Sequence, residues 1–108
     1  MSVPLRLGDL RDKQPRRITI DGVPVAVVRV GTEVFAVNDT CSHAEVSLAE
    51  GEVTGCEIEC WLHGSRFDLR TGEPSGPPAF ESITTYPVQI EGVGDDAVVL
   101  VAVPEEAR

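Results

Sequence analysis

Asp21-Gly22 stands between an alternating run, Arg16 to Ile20, and a valine-rich one, Val23 to Val30. A two-residue Asp-Gly pair between such runs is a strong local signal for a tight hairpin, because glycine and aspartate accept the positive φ angles that the turn requires. Gly31-Thr32 then turns the chain again, and Glu33 to Asn38 reads as a third strand. The result is an antiparallel meander in which Val34 and Ala36 face one way and Phe35 and Val37 the other.

The rest of the chain follows the same grammar. Gly51 to Val53 reads as a short strand, Thr54-Gly55 as a turn, and Cys56 to Trp61 as a strand with Cys56, Ile58 and Cys60 on one face. Ser65 to Leu69 is strand-like and Arg70-Thr71-Gly72 turns it. Glu73 to Ala79 holds Pro74, Pro77 and Pro78 and is expected to form a stiff, irregular loop. Ile83 to Glu91 and Ala97 to Val103 read as two strands joined through Gly92 to Asp96. No helix of useful length and no internal repeat is evident. With 108 residues, 42% of them hydrophobic, the chain has enough apolar surface for one modest core. These features point to an all-β chain, an antiparallel sandwich or small barrel with an inserted loop region.

The N-terminus lacks the apolar stretch of a signal peptide, and Ala97 to Val103, the longest apolar run, is too short to span a bilayer. A cytoplasmic protein is therefore expected. Three cysteines cannot all pair, so a disulfide framework is a poor reading. The formal charge of −9 disfavours nucleic acid and anionic lipid as partners. Its distribution is uneven. From Val30 to Ser65 there is no Lys or Arg, but there are seven acids: Glu33, Asp39, Glu45, Glu50, Glu52, Glu57 and Glu59. That stretch is either a solvated surface or a face that attracts a basic partner.

Inside it lie Cys41-Ser42-His43 and Cys60-Trp61-Leu62-His63, two Cys–His pairs separated by sixteen residues. His43 and His63 are the only histidines of the chain. Each pair ends a strand-like run and opens a loop, so the two loop tips can meet. Two thiolates and two imidazoles suit zinc or an iron–sulfur cluster. Structural zinc sites usually leave about two to four residues between neighbouring ligands, and the single residue between Cys41 and His43 is tight for that. Ligands that diverge to two irons can sit closer, as where two histidines replace two cysteines on one iron of a [2Fe–2S] centre. A Cys60–His63 nucleophilic pair can also be drawn, but no orienting third residue is evident.

The C-x-H and C-x-x-H pattern resembles the Rieske family motif. The second loop, Cys60 to Asp68, is especially similar to the ferredoxin components of bacterial aromatic-ring dioxygenase systems. The likeness extends through Arg70-Thr71-Gly72 and Gly76-Pro77-Pro78, a loop that covers the cluster in the family, and over essentially the whole chain. It implies one [2Fe–2S] cluster per chain, with Cys41 and Cys60 on a buried inner iron and His43 and His63 on an outer one. Rieske proteins of respiratory complexes carry two further, bridged cysteines where this chain has Val46 and Leu62. They also carry a tyrosine, hydrogen-bonded to a ligand sulfur, where this chain has Phe67. Ser65 matches a family serine that can donate to a bridging sulfide.

The resemblance further implies a Rieske sandwich formed by residues 1–108 as a single domain. Its base is built from both ends of the chain, with an inserted cluster-binding subdomain from about Asp39 to Pro78. No residues remain for a mononuclear catalytic iron, so the chain itself is expected not to be an enzyme. The implied role is a monomeric one-electron carrier between a flavin-dependent reductase and a terminal non-heme iron oxygenase, with partners that present a basic docking face. Small Rieske subunits of other redox or iron–sulfur assembly systems are the alternative within the family. A structural zinc module is the alternative from another class. Trp61 reads as a core or interface aromatic, and Cys56 as a buried strand cysteine without a ligand role.

Overall fold

A computed structural model describes residues 2–41, 46–62, 64–75 and 81–103. The meander forms as expected. Strands β2 (Arg16–Ile20) and β3 (Val23–Val30) pair with Ile20 opposite Val23, and Asp21 and Gly22 both take positive φ, 51° and 84°. These are the signs a type I′ turn demands. Strand β4 (Glu33–Asn38) pairs with β3.

Near each end of the chain, β1 (Ser2–Arg6) pairs antiparallel with β10 (Val98–Ala102), which also pairs with β9 (Val88–Glu91). The strand order of this sheet is β1-β10-β9, and that of the central sheet β2-β3-β4-β8, with β8 at Thr85–Tyr86. A third sheet, in the order β5-β6-β7, consists of Glu52–Thr54, Glu57–Glu59 and Arg66–Asp68. Three short 3-10 turns, Leu7–Asp9, Leu48–Glu50 and Gly94–Asp96, complete the described elements. No helix of the described residues is long and apolar enough to cross a membrane.

The central sheet is buried on both faces, which explains why β3 is almost continuously apolar. Val23, Val25 and Val27 of β3 and Val34 and Ala36 of β4 join Val99 and Val101 in a first core. Ala26, Val28 and Val37 point the other way, into a second core with Leu48, Ile58, Phe67, Leu69 and both Cys41 and Cys60. Burying each such valine contributes about 1.5–3 kcal/mol, so a charge placed at Val28 would disrupt the floor of the second core. The central sheet is thus the common wall between the base and the loops that carry the Cys–His pairs.

The structure departs from the sequence reading at several points. Ile83 to Glu91 is not one strand. Tyr86 pairs with Ala36 in the central sheet while Val88 pairs with Val101 in the terminal one. The change of sheet falls at Pro87, which has no N–H to give to a ladder. The last strand is shorter than Ala97 to Val103, and β1 was not apparent in the sequence pattern. Cys56 is not in a strand: Gly55 (φ 60°) and Cys56 form the two-residue turn between Thr54 and Glu57. Of the proline-rich loop, Pro74 bridges to Phe67 and the Ser75 N–H donates to the Arg66 carbonyl at 2.9 Å, while residues 76–80 lie outside the described residues.

Candidate metal centre

The two cysteines hold equivalent places in two loops of equal length. Cys41 donates its backbone N–H to the Val46 carbonyl at 3.1 Å, and Cys60 donates to the Ser65 carbonyl at 2.7 Å. Each cysteine therefore closes a four-residue loop from its base. Both are buried, and both belong to the second core. His43 and His63 fall within these two loops and lie outside the described residues.

Each loop is pinned by its surroundings. The second extends the β6–β7 hairpin, in which Ile58 stands opposite Phe67 and Glu59 opposite Arg66. Gly64, with φ 76°, returns the chain by donating to the Cys60 carbonyl at 3.0 Å. The first is flanked by an antiparallel bridge between Thr40 and Ser47, and the Leu48 N–H donates to the Asp39 carbonyl at 2.6 Å. Phe67 is fully buried in the second core, so its position is purely apolar.

Next to Cys60 the surface is mixed. Trp61 is 51% exposed and Leu62 42%, so of the two readings, core or interface, Trp61 is not a core aromatic and the interface reading stands. Trp61 lines a cleft of about 340 Å³ with Glu50, Gly51, Glu52, Glu59, Cys60 and Gly64. The acidic stretch does not act as one surface. Asp39 is buried and paired with Arg17, Glu33 lies 3.7 Å from Arg70, and Arg66 stands across from Glu59. Glu50 and Glu52 are exposed, Glu57 and Glu59 half-buried, and Glu45 lies outside the described residues. Cys56 is half-buried, and burial pushes its thiol up, with Arg70 opposing the rise and Asp68, Glu33 and Glu57 adding to it.

Residues 3–87 match the Rieske [2Fe-2S] domain family. The chain belongs to that family. It is 40% identical over 92 residues to the ferredoxin component of biphenyl 2,3-dioxygenase from Rhodococcus jostii, covering 85% of this chain and 84% of the relative. The ferredoxin of carbazole 1,9a-dioxygenase from Nocardioides aromaticivorans superposes with a TM-score of 0.83 at 39% identity, over 92% of this chain and 96% of that one. A chain of the complex of reduced oxygenase and oxidized ferredoxin in carbazole 1,9a-dioxygenase superposes with a TM-score of 0.79 at 32% identity, over 91% and 99%. As a Rieske domain, the chain has one [2Fe–2S] cluster as its cofactor.

The described residues fit a Rieske cluster. Ser65 is fully buried, and among the described residues its hydroxyl has no hydrogen-bond partner. An unsatisfied buried hydroxyl costs about 1–3 kcal/mol, so its retention beside Cys60 points to an acceptor supplied by a bound group. An inorganic sulfide is such an acceptor.

Proposed function

We propose that Cys41, His43, Cys60 and His63 hold the [2Fe–2S] cluster, the thiolates on one iron and the imidazoles on the other. What supports this most is the arrangement of Cys41 and Cys60, each buried at the base of a four-residue loop and both in one apolar core. When bound, the cluster supplies a one-electron couple. Cys41 and Cys60 anchor it where water is excluded, while the histidine-bearing loops present it to a partner. Ser65 would donate its hydroxyl hydrogen to the bound cluster and so favour its reduced, more negative state.

The chain serves as a soluble, cytoplasmic and monomeric electron carrier, taking electrons from a flavin-dependent reductase and delivering them to a terminal non-heme iron oxygenase. Residues 1–108 act as one domain, and residues from about 39 to 78 form its cluster-binding subdomain. The exposed Trp61 and Leu62 offer an apolar centre for docking, and Glu50, Glu52 and Glu59 offer an acidic rim for a basic face of the partner.

Iron and acid-labile sulfide analysis tests the assignment. Two irons and two sulfides per chain are expected, and His43→Ala or His63→Ala should abolish the Rieske spectrum. Stoichiometric zinc without sulfide in an anaerobic preparation would overturn it.

A further inference from the structure

Asp39 is the only charged side chain among the described residues that is buried, at 2% exposure. Its Oδ1 accepts the Ala49 N–H at 2.8 Å, while its Oδ2 accepts the Ser47 hydroxyl and lies 3.1 Å from Nε of Arg17. Its backbone is engaged too. The N–H donates to the Pro24 carbonyl at 3.0 Å, and the carbonyl accepts from Leu48. Every polar atom of the residue has a partner, and the partners come from three places: β2, β3 and the far stem of the first ligand loop.

A buried carboxylate is retained against a large desolvation cost, which its partners must offset. Closing a hairpin stem needs no charge, and an apolar pair would serve stability as well. What the carboxylate adds is a fixed geometry. It grips the stem after the loop, at Ser47 and Ala49, while its own backbone forms the stem before the loop, two residues ahead of Cys41. Arg17 then ties this knot to the central sheet.

We infer that Asp39 is a positioning residue for the cluster: through Ser47, Ala49 and Arg17 it locks both stems of the 42–45 loop and so fixes how Cys41 and His43 are presented. The inference rests on the proposed reading of Cys41 and His43 as ligands. Removing a group hydrogen-bonded directly to a metal ligand typically costs about 10-fold to 100-fold in metal affinity, and Asp39, one step further out, should have a smaller effect.

The test compares Asp39→Asn, Asp39→Ala, Ser47→Ala and Arg17→Gln with the parent holoprotein. The readouts are iron release to a chelator, the electron paramagnetic resonance g-values of the reduced state, and hydrogen exchange of the 39–49 segment by mass spectrometry. Asp39→Asn should release iron faster, by up to about 10-fold, the lower end for groups bonded directly to a ligand. It should also shift or broaden the g-values and speed exchange in 39–49 without doing so in the β2–β4 meander. Ser47→Ala should change these in the same direction by less, and Arg17→Gln least, since Arg17 is 60% exposed. Should Asp39→Ala fail to fold, the two single-contact variants carry the comparison. Parent-like iron release, g-values and exchange in Asp39→Asn, Ser47→Ala and Arg17→Gln would overturn the inference, even if melting temperatures fell. A parent protein without iron and sulfide would instead refute the cluster assignment, and the exchange measurement would still decide whether Asp39 locks the loop.

Discussion

Cys60 and Ser65 are joined by a 2.7 Å backbone hydrogen bond across the mouth of the four-residue loop between them, and both are fully buried. Ser65 has two uses in one residue: its carbonyl closes the loop, and its buried hydroxyl awaits an acceptor.

Ser65→Ala separates the two. The backbone bond survives, so the cluster should still assemble with two irons. The lost hydrogen bond is one to a charged acceptor, worth about 1.5 kcal/mol, and the potential falls by the difference in that bond between the reduced and oxidised states, so by no more than roughly 60 mV for one electron. Voltammetry of the parent and variant measures it. The same substitution should not destabilise the apoprotein, because it deletes an unsatisfied buried group. An unchanged potential would mean that the hydroxyl serves something other than the cluster.

The meander was legible because period-2 patterning and an Asp-Gly turn are local signals. The opposed faces of Val34 with Ala36 and of Phe35 with Val37 follow directly and feed the two cores. The Cys–His spacing likewise marked the two loops, and the structure brings Cys41 and Cys60 into one cluster of side chains. Neither the change of sheet at Pro87 nor the pairing of β1 with β10 is local, since each depends on which distant strand offers an open edge. Asp39 was read as one of seven surface acids for a similar reason. Its burial depends on Arg17, on a different strand, and on the loop stem at Ser47 to Ala49. Its nearness to Cys41 in the sequence was the available hint.

Cys56 should be dispensable for the cluster and slow to react. Burial raises its thiol pKa above the ordinary value, so at any pH below that pKa the thiolate fraction is smaller than for an exposed cysteine. Alkylation of the holoprotein by iodoacetamide, followed by mass spectrometry, should be slow near pH 8. Its rate should level off at a higher pH than that of an exposed cysteine. Cys56→Ser should retain two irons and two sulfides per chain. Loss of the cluster in that variant would show that the ligand set is wrong.

Gly51 marks where the third sheet meets the first loop's stem. A Cβ placed there would lie 1.7 Å from the Glu59 carbonyl oxygen, an approach no side chain tolerates. Gly51→Ala must push β6 away from the 3-10 turn at Leu48–Glu50, overpacking that costs about 1–3 kcal/mol. Because β6 leads directly into Cys60, iron loading should fall along with the melting temperature. Thermal unfolding and iron content of the variant check both, and a protein as stable as the parent would contradict the close approach.

Glu52 and Glu59 stand directly opposite each other across β5 and β6, and both line the cleft next to Trp61. Like charges in this position are destabilising on the cross-strand scale of about 0.2–1 kcal/mol, and Arg66 on the other side of Glu59 offsets only part of it. An arrangement that costs stability at a docking rim is explained if a basic partner relieves it. Glu52→Lys should therefore raise the melting temperature slightly while slowing electron delivery. The effect should appear in the association rate, leaving the potential and saturated turnover nearly unchanged. At about 0.15 M salt the Debye length is roughly 8 Å, so the difference between parent and variant should be large at low salt and fade as salt rises. Stopped-flow reduction by the cognate reductase, from about 20 to 500 mM salt, measures it across several Debye lengths. Rates that ignore both salt and the substitution would mean that Glu50, Glu52 and Glu59 are only a solvated surface.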